Sequence, residues 1–337
     1  MQFDALLHPT PKGLYCPPGD FYVDPVAPVA RAVVTHGHAD HARAGHGAVL
    51  ATPETIAIMG ARYGEAFTPG PQSARYHDRT AINDVNVTLV PAGHVLGSAQ
   101  AVIESGGTRI VVSGDYKRRE DPTCPPFEVV PCDVFISEAT FALPVFKHPE
   151  TGGEIRKLLA SVKQFPERTH VIGAYALGKA QRIICELRRE GYDDAVFIHG
   201  ALQKLCGLYE AHGVSLGPLE PATIENRGAK QEFAGRIVIA PPSAIQDRWA
   251  RRFADPLPVF ASGWMRIRQR TRQRGVELPL IISDHADWDE LTGTIREIGP
   301  EELWITHGRE DALMRWAELE GMKARPLRLV GYDDENE

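Results

Sequence analysis

Thr35-His36-Gly37-His38-Ala39-Asp40-His41 puts four metal-capable side chains within six residues, directly behind the β-branched run 31–35 (RAVVT). His36 and His38 are two positions apart, so an extended backbone carries both imidazoles on one side. The chain then turns, and Asp40 and His41 point to a second position nearby. A two-and-two split suits a pair of cations a few ångströms apart. With 13 His among 337 residues, H-x-H-x-D-H arises by chance in on the order of one in a thousand chains of this composition. A histidine-rich surface loop is therefore a poor account of it.

Two cations need more ligands, and other strand ends supply them. The run 86–90 (NVTLV) leads into Pro91-Ala92-Gly93-His94, and 109–113 (RIVVS) into Gly114-Asp115. The run 302–306 (ELWIT) delivers His307-Gly308. Carboxyl ends of strands are where open α/β sheets place their sites. Asp115 has two oxygens and suits a bridging position. Asp24, in YVDP at another strand end, is placed to hydrogen-bond a ligand histidine from behind.

Another short β-branched run lies at 133–137 (DVFIS). From about residue 150 the grain changes to strand–helix alternation: strands at 170–174, 195–199 and 236–240, and a helix over 179–190 with apolar residues at 183, 184 and 187. Such alternation predicts a parallel sheet with crossover helices. Short strands return at 279–283 and 302–306. The organisation expected is one α/β domain, residues 1–142 plus 277–337, interrupted by a second α/β unit over 143–276.

Composition excludes several classes. Hydrophobic content of 43 % and charged content of 24 % are those of a soluble globular protein. No stretch approaches the ~18 consecutive apolar residues of a membrane span, and the N-terminus lacks the apolar core of a secretory signal. Five scattered cysteines without a C-x-x-C pair argue for reduced thiols and a cytoplasmic location. A net charge of −7 is unhelpful to a phosphate binder, yet 264–274 reads WMRIRQRTRQR. Extended, that run would present Arg266, Arg268, Arg270, Arg272 and Arg274 on one face, with Trp264 beside them to stack on a base. Gly178 and Lys179 open the 179–190 helix, whose N–H groups could hold a phosphate.

On these residues the chain resembles the metallo-β-lactamase fold, an αββα sandwich, and within it the β-CASP nuclease branch, which carries an inserted α/β domain. The HGHADH run, His94 and Asp115 match the general fold. Glu138 in ISEATF, His285 in SDHADW and His307 in THG match the three extra motifs of the branch. More narrowly, GLYCPPGDFYVDP, SGWM and SDHADWDEL look like the bacterial exonuclease family associated with DNA ligases.

The resemblance implies two divalent cations, Zn²⁺ or else Mn²⁺. His36, His38, His94 and Asp115 would hold one, and Asp40, His41, Asp115 and His307 the other. It implies nucleic acid as substrate, Asp40 within the catalytic centre, His285 as general acid, and Glu138 as its partner. The ligase-associated motifs favour DNA and a DNA ligase or helicase as partner. A histidine at position 307 is instead the habit of RNA-processing members. DNA is the preferred reading and an RNA nuclease the alternative. A small-molecule hydrolase would explain the metals but not Glu138, His285 or the insertion. A catalytically silent scaffold would not have kept the ligand set whole.

Overall fold

A computed structural model describes residues 3–223, 231–308 and 310–327. The chain divides into two compact units, Met1–Lys147 with His285–Asn336, and His148–Asp284.

In the first unit two mixed sheets lie face to face. One has six strands in the order His8–Thr10, Gly13–Cys16, Phe21–Val23, Arg31–Val33, Ala48–Ala51, Gly70–Ser73. The other has seven, in the order Lys323–Pro326, Glu302–Gly308, Val134–Ala139, Thr108–Val112, Ala99–Ser105, Val85–Pro91, Arg79–Ile82. Their inner faces share one core, in which Leu14, Phe21, Val33 and Leu50 meet Val87, Leu89, Ile103, Ile110, Ile136 and Trp304.

Both sheets also bury their outer faces at the centre, where Ala48–Ala51, Thr108–Val112 and Val134–Ala139 carry buried apolar residues on both sides. Val90, Val102, Val111, Phe135, Leu303 and Ile305 form a second cluster with Leu291 and Ile295 of the helix Trp288–Ile298 and Leu313 of the helix Glu310–Leu319. Ala32, Val34, Val49 and Ala51 pack with Met59 of the helix Pro53–Tyr63. Helix, sheet, sheet, helix is the layering that results. The expected αββα sandwich is what forms.

The second unit is built on a six-stranded sheet, every pairing of which is parallel: Leu219–Pro221, Val196–Ile198, Ile237–Ala240, Thr169–Gly173, Pro256–Ala261, Leu278–Leu280. Parallel neighbours require crossovers, and the helices Lys179–Arg189 and Gly200–Ala211 provide two of them.

Candidate metal centre

The site is assembled at the carboxyl ends of strands from both sheets of the first unit. After Arg31–Val33 the chain stays extended through Thr35, whose carbonyl accepts from Ala99 N at 2.8 Å and so ties one sheet to the other. His36 is wholly buried. At His38 the backbone turns: the N–H groups of His41 and Ala42 both donate to the His38 carbonyl, at 3.2 and 2.7 Å. That turn swings Asp40 and His41 round beside His36.

The opposite sheet delivers the remaining ligands through two glycine corners. Gly93 (φ 73°) precedes His94, and a Cβ there would lie 2.7 Å from the Lys117 carbonyl. Gly114 (φ 56°) precedes Asp115, and a Cβ there would lie 2.8 Å from Thr35 Oγ1. Only glycine takes both the left-handed conformation and the close approach. The His94 loop is then clamped from below, since Ser98 Oγ accepts the N–H of His94 at 3.0 Å and of Val95 at 3.1 Å.

The result is a compact donor set. Ligand atoms of His36, His38, His94 and Asp115 all lie within 4.8 Å of one another. Asp115 Oδ2 stands 3.3 Å from His36 Nε2, 3.5 Å from His41 Nε2 and 3.8 Å from His94 Nε2. His94 Nε2 is 2.9 Å from His38 Nδ1, and His41 Nε2 is 3.7 Å from Asp40 Oδ2. A tetrahedral cation with bonds of about 2.05 Å needs donors roughly 3.3 Å apart, and these spacings bracket that value.

Charge state agrees. Burial works against the Asp115 carboxylate, but His41, His285 and His36 outweigh it and hold its pKa well below the usual range. Burial, with His36, His38 and His285 around it, keeps the His94 pKa well below that of ordinary imidazole. An ionised carboxylate and a neutral imidazole are the forms that ligate. His36 Nε2, buried and making no hydrogen bond, is a donor aimed into the same space. The residues fit a divalent cation.

Asp24 stands behind the ligands. Its Oδ2 lies 2.8 Å from His41 Nδ1 and accepts from Thr35 Oγ1 at 2.6 Å, while Oδ1 accepts from Thr35 N at 2.8 Å. His41 is fully buried, yet Asp115, Asp40 and Asp24 overcome that desolvation and raise its pKa to about 10 in the metal-free chain.

Beside the ligand cluster lies a second pair. Val134–Ala139 and Glu302–Gly308 run parallel, but their register shifts between Ser137 and Ala139, an irregularity of the kind that re-aims a side chain. Glu138 falls there, wholly buried, with Oε1 accepting from Tyr116 N at 2.7 Å and Oε2 2.9 Å from His285 Nδ1. Burial pushes the Glu138 pKa up, against the pull of His285. The His285 ring lies 4.8 Å from that of His94, and ligand atoms of Asp115, Glu138 and His285 also fall within 4.8 Å of one another.

Not every expected site residue is placed as the sequence suggested. The side chain of His307 lies outside the described residues, although its backbone belongs to the strand Glu302–Gly308. Lys179 is wholly buried with its Nζ 3.4 Å from Asp284 Oδ2, so it is not an open phosphate ligand. Gly178 does cap the helix Lys179–Arg189, but its N–H is already taken by Gln181 Oε1 at 2.9 Å. The extended reading of the arginine run is corrected: 263–266 is a 3₁₀ turn and Arg268–Gln273 a short helix. Arg and Gln are good helix formers. Trp264 is only 7 % exposed and lies under the Arg270 guanidinium, 3.9 Å from its ring centre, which closes its face to a base. Arg266 and Arg268 are exposed.

Reading by motif missed Lys117 and Arg119, which follow Asp115 and contact the His94 and His285 carbonyls. The one local signal was the basic cluster Lys117-Arg118-Arg119 directly behind a ligand.

Residues 24–167 match the model of the metallo-beta-lactamase superfamily, the segment that holds Asp24, the histidine cluster, His94, Asp115 and Glu138. That segment is similar to a metallo-β-lactamase domain. Its fold is shared with a crystal structure of a protein of unknown function from Enterococcus faecalis V583, with a TM-score of 0.52 at 13 % identity over 82 % of this chain and 74 % of that one.

Among sequence relatives, a probable DNA ligase from Opitutus terrae is 29 % identical over 90 % of this chain and 30 % of its own length. Cleavage and polyadenylation specificity factor subunit 3 from Dictyostelium discoideum is 25 % identical over 94 % of this chain and 51 % of its own. The endoribonuclease ysh1 of Aspergillus fumigatus is 27 % identical over 73 % and 27 %. The chain thus spans between 27 and 51 % of the length of these relatives. Among the described residues, no helix is long and apolar enough to cross a membrane.

Proposed function

We propose that this metallo-β-lactamase domain belongs to a metal-dependent phosphodiesterase that cuts nucleic acid, DNA before RNA, in the company of a DNA ligase. One observation carries the reading: the His285–Glu138 pair lies against the ligand cluster, with the His285 and His94 rings 4.8 Å apart. A simple metal-binding or scaffold role has no use for a proton donor at that place. The relative named a probable DNA ligase supports the ligase link, and those named for cleavage and endoribonuclease activity support nucleic acid as substrate.

His36, His38, His94 and Asp115 would hold one cation, Zn²⁺ by donor chemistry with Mn²⁺ the alternative. Asp40, His41 and Asp115, together with His307, would hold a second. Bound there, the cations supply a nucleophile of low pKa and offset charge on the phosphate oxygens. Asp115, central to the donor set, would be shared by both positions. Asp24 keeps His41 with its proton on Nδ1 and Nε2 toward the site. Glu138 does the same for His285, which assigns delivery of a proton to the leaving oxygen to His285 Nε2. Arg266 and Arg268, the exposed arginines of the second unit nearest Trp264 in sequence, remain the proposed backbone contacts.

The test is digestion of DNA and RNA strands of one sequence, labelled at either end, with Zn²⁺, with Mn²⁺ and with EDTA. Cation-dependent shortening of DNA at a higher rate than RNA is expected. Faster RNA cleavage would move the protein to the RNA-processing side, and no cleavage of either polymer would refute the reading.

A further inference from the structure

The segment Asp115–Asp121, DYKRRED, does more than donate a ligand. The backbone of Tyr116 faces two ways: its N–H donates to Glu138 Oε1 at 2.7 Å, and its carbonyl accepts from Ala286 N at 2.6 Å. Glu138 and the backbone beside His285 are thereby held from one residue.

Lys117 is wholly buried, donates from Nζ to the His94 carbonyl at 2.5 Å, and pairs with Asp121 Oδ2 at 2.8 Å. Asp121 is itself fixed, its Oδ1 accepting from Thr123 N at 2.8 Å and Thr123 Oγ1 at 2.6 Å. Arg119 donates to the His285 carbonyl at 2.7 Å and pairs with Glu290 at 3.1 Å and Asp287 at 3.4 Å. Those two acids form the capping box that starts the helix Trp288–Ile298: Asp287 accepts from Glu290 N at 3.0 Å, and Glu290 Oε2 from Asp287 N at 3.1 Å. Arg119 therefore fastens the His285 carbonyl to the first turn of a packed helix.

A buried ammonium is costly to desolvate, and one placed near a cation site opposes metal binding by simple repulsion. An apolar side chain of the same length would fill the space without either penalty. What it could not do is hold the carbonyl of His94. Asp121 cancels the Lys117 charge at short range and leaves the hydrogen bond. A guanidinium at 119 likewise joins one carbonyl and two carboxylates at once, which its forked donors allow.

We propose that Lys117 and Arg119 are positioning residues with separate duties, Lys117 setting His94 for metal binding and Arg119 setting His285 for proton delivery. The proposal rests on the metal-dependent reading above. It predicts a division that a merely structural role would not produce. Lys117→Met lowers zinc affinity tenfold or more, the scale of change seen when a ligand's support is lost, and recovers most of its kcat when zinc is raised to saturation. Arg119→Met binds zinc within twofold of the parent but loses kcat at saturating metal, with KM little changed and the acid-base limbs of its pH–rate profile displaced. Arg119→Lys, which keeps a donor and a charge, restores part of that kcat.

The measurements are chelator-competition titrations with Zn²⁺ on the full chain and kcat and KM against pH on a labelled DNA strand. Asp121→Asn, which strands the Lys117 charge, gives a second route to the affinity loss should Lys117→Met fail to fold by circular dichroism. Unaltered zinc affinity in a folded Lys117→Met or Asp121→Asn protein, or equal loss of affinity in the Lys117 and Arg119 variants, overturns the division of duties. A parent chain that takes up no Zn²⁺ or Mn²⁺ overturns the underlying reading, and this proposal with it.

Discussion

Asp24→Asn preserves the size of the side chain and removes its charge. Residue 24 has φ of 45°, a conformation that Asn adopts more readily than most L-residues, so the backbone has no reason to move. The wild-type carboxylate accepts from Thr35 N, from Thr35 Oγ1 and from His41 Nδ1 at 2.6–2.8 Å. In the variant one of its two terminal atoms is an amide NH₂. If that group faces Thr35 N, two donors meet and a buried N–H is left unsatisfied, at about 1–3 kcal/mol. If it faces His41, the imidazole must accept at Nδ1, and its proton moves to Nε2, the atom that should ligate. Each arrangement harms the metal-free fold or the ligand.

Metal affinity should therefore fall between about tenfold and a hundredfold, roughly 1.4–2.7 kcal/mol. The EDTA-treated protein should lose about 2 kcal/mol, or roughly 4–8 °C of Tm for a unit of this size. Chelator-competition titration measures the first, and a thermal melt followed by circular dichroism the second. A variant that binds both equivalents of zinc within twofold of the parent would show that Asp24 does not orient His41, and the tautomer argument would have to be abandoned.

Three further outcomes follow from the geometry. His285→Ala should keep its full metal titration and lose about 10²–10⁴ in kcat; undiminished turnover removes His285 from the chemistry. Gly114→Ala forces a Cβ at φ 56° to 2.8 Å from Thr35 Oγ1, and should cost about 1–3 kcal/mol while weakening zinc binding through the Thr35–Asp24 contact; an unaltered melt would show that the corner relaxes freely. His170, buried in the second unit and 2.8 Å from Ser161 Oγ, has its pKa lowered by burial and by Arg168 to about 4. The unfolded chain takes up this proton near pH 6.5 and the folded one only near 4, so the contribution is complete above about pH 6.5 and is lost as pH falls, by about 2 kcal/mol at pH 5. Urea unfolding at pH 5 and 7 should show that much less acid sensitivity in His170→Gln than in the parent, and equal sensitivity refutes it.

What could be read from the sequence was what is local. H-x-H-x-D-H declares itself by spacing, and the strands leading into His94 and Asp115 declare themselves by short β-branched runs ending in a polar residue. The observed strands Val85–Pro91 and Thr108–Val112 lie within a residue or two of those runs. The N-terminal strands His8–Thr10 and Gly13–Cys16 leave no mark in the sequence, because three or four residues among glycines and prolines are too few for a period to show, whereas Phe21–Val23 is the strand end expected before Asp24. The arginine run failed for a different reason. Alternating arginines satisfy a strand template, but tertiary packing chose otherwise: Trp264 is buried, Arg270 covers it, and Arg268–Gln273 coils into a helix. Lys179 is buried against Asp284, which lies far along the chain, and no window around residue 179 contains that information.

The same distinction explains why the ligands were legible and their supports were not. A metal ligand must be His, Asp or a chemical equivalent, so its identity alone narrows its role. A support need only offer a donor or an acceptor, and almost any polar residue or backbone group will serve. Thr35, Ser98, Lys117 and Arg119 become meaningful only once His36, His94 and His285 stand beside them. Because His36 and His41 hang from one sheet while His94 and Asp115 hang from the other, the contacts of Asp115 with His36 and His41 also cross the sandwich. Sheet packing therefore sets the spacing of the donors, and a cation that binds only the packed state must in turn stabilise the packing by mass action. The core and the site are two readings of one set of contacts, which is why the supports lie in the loops where the two sheets meet.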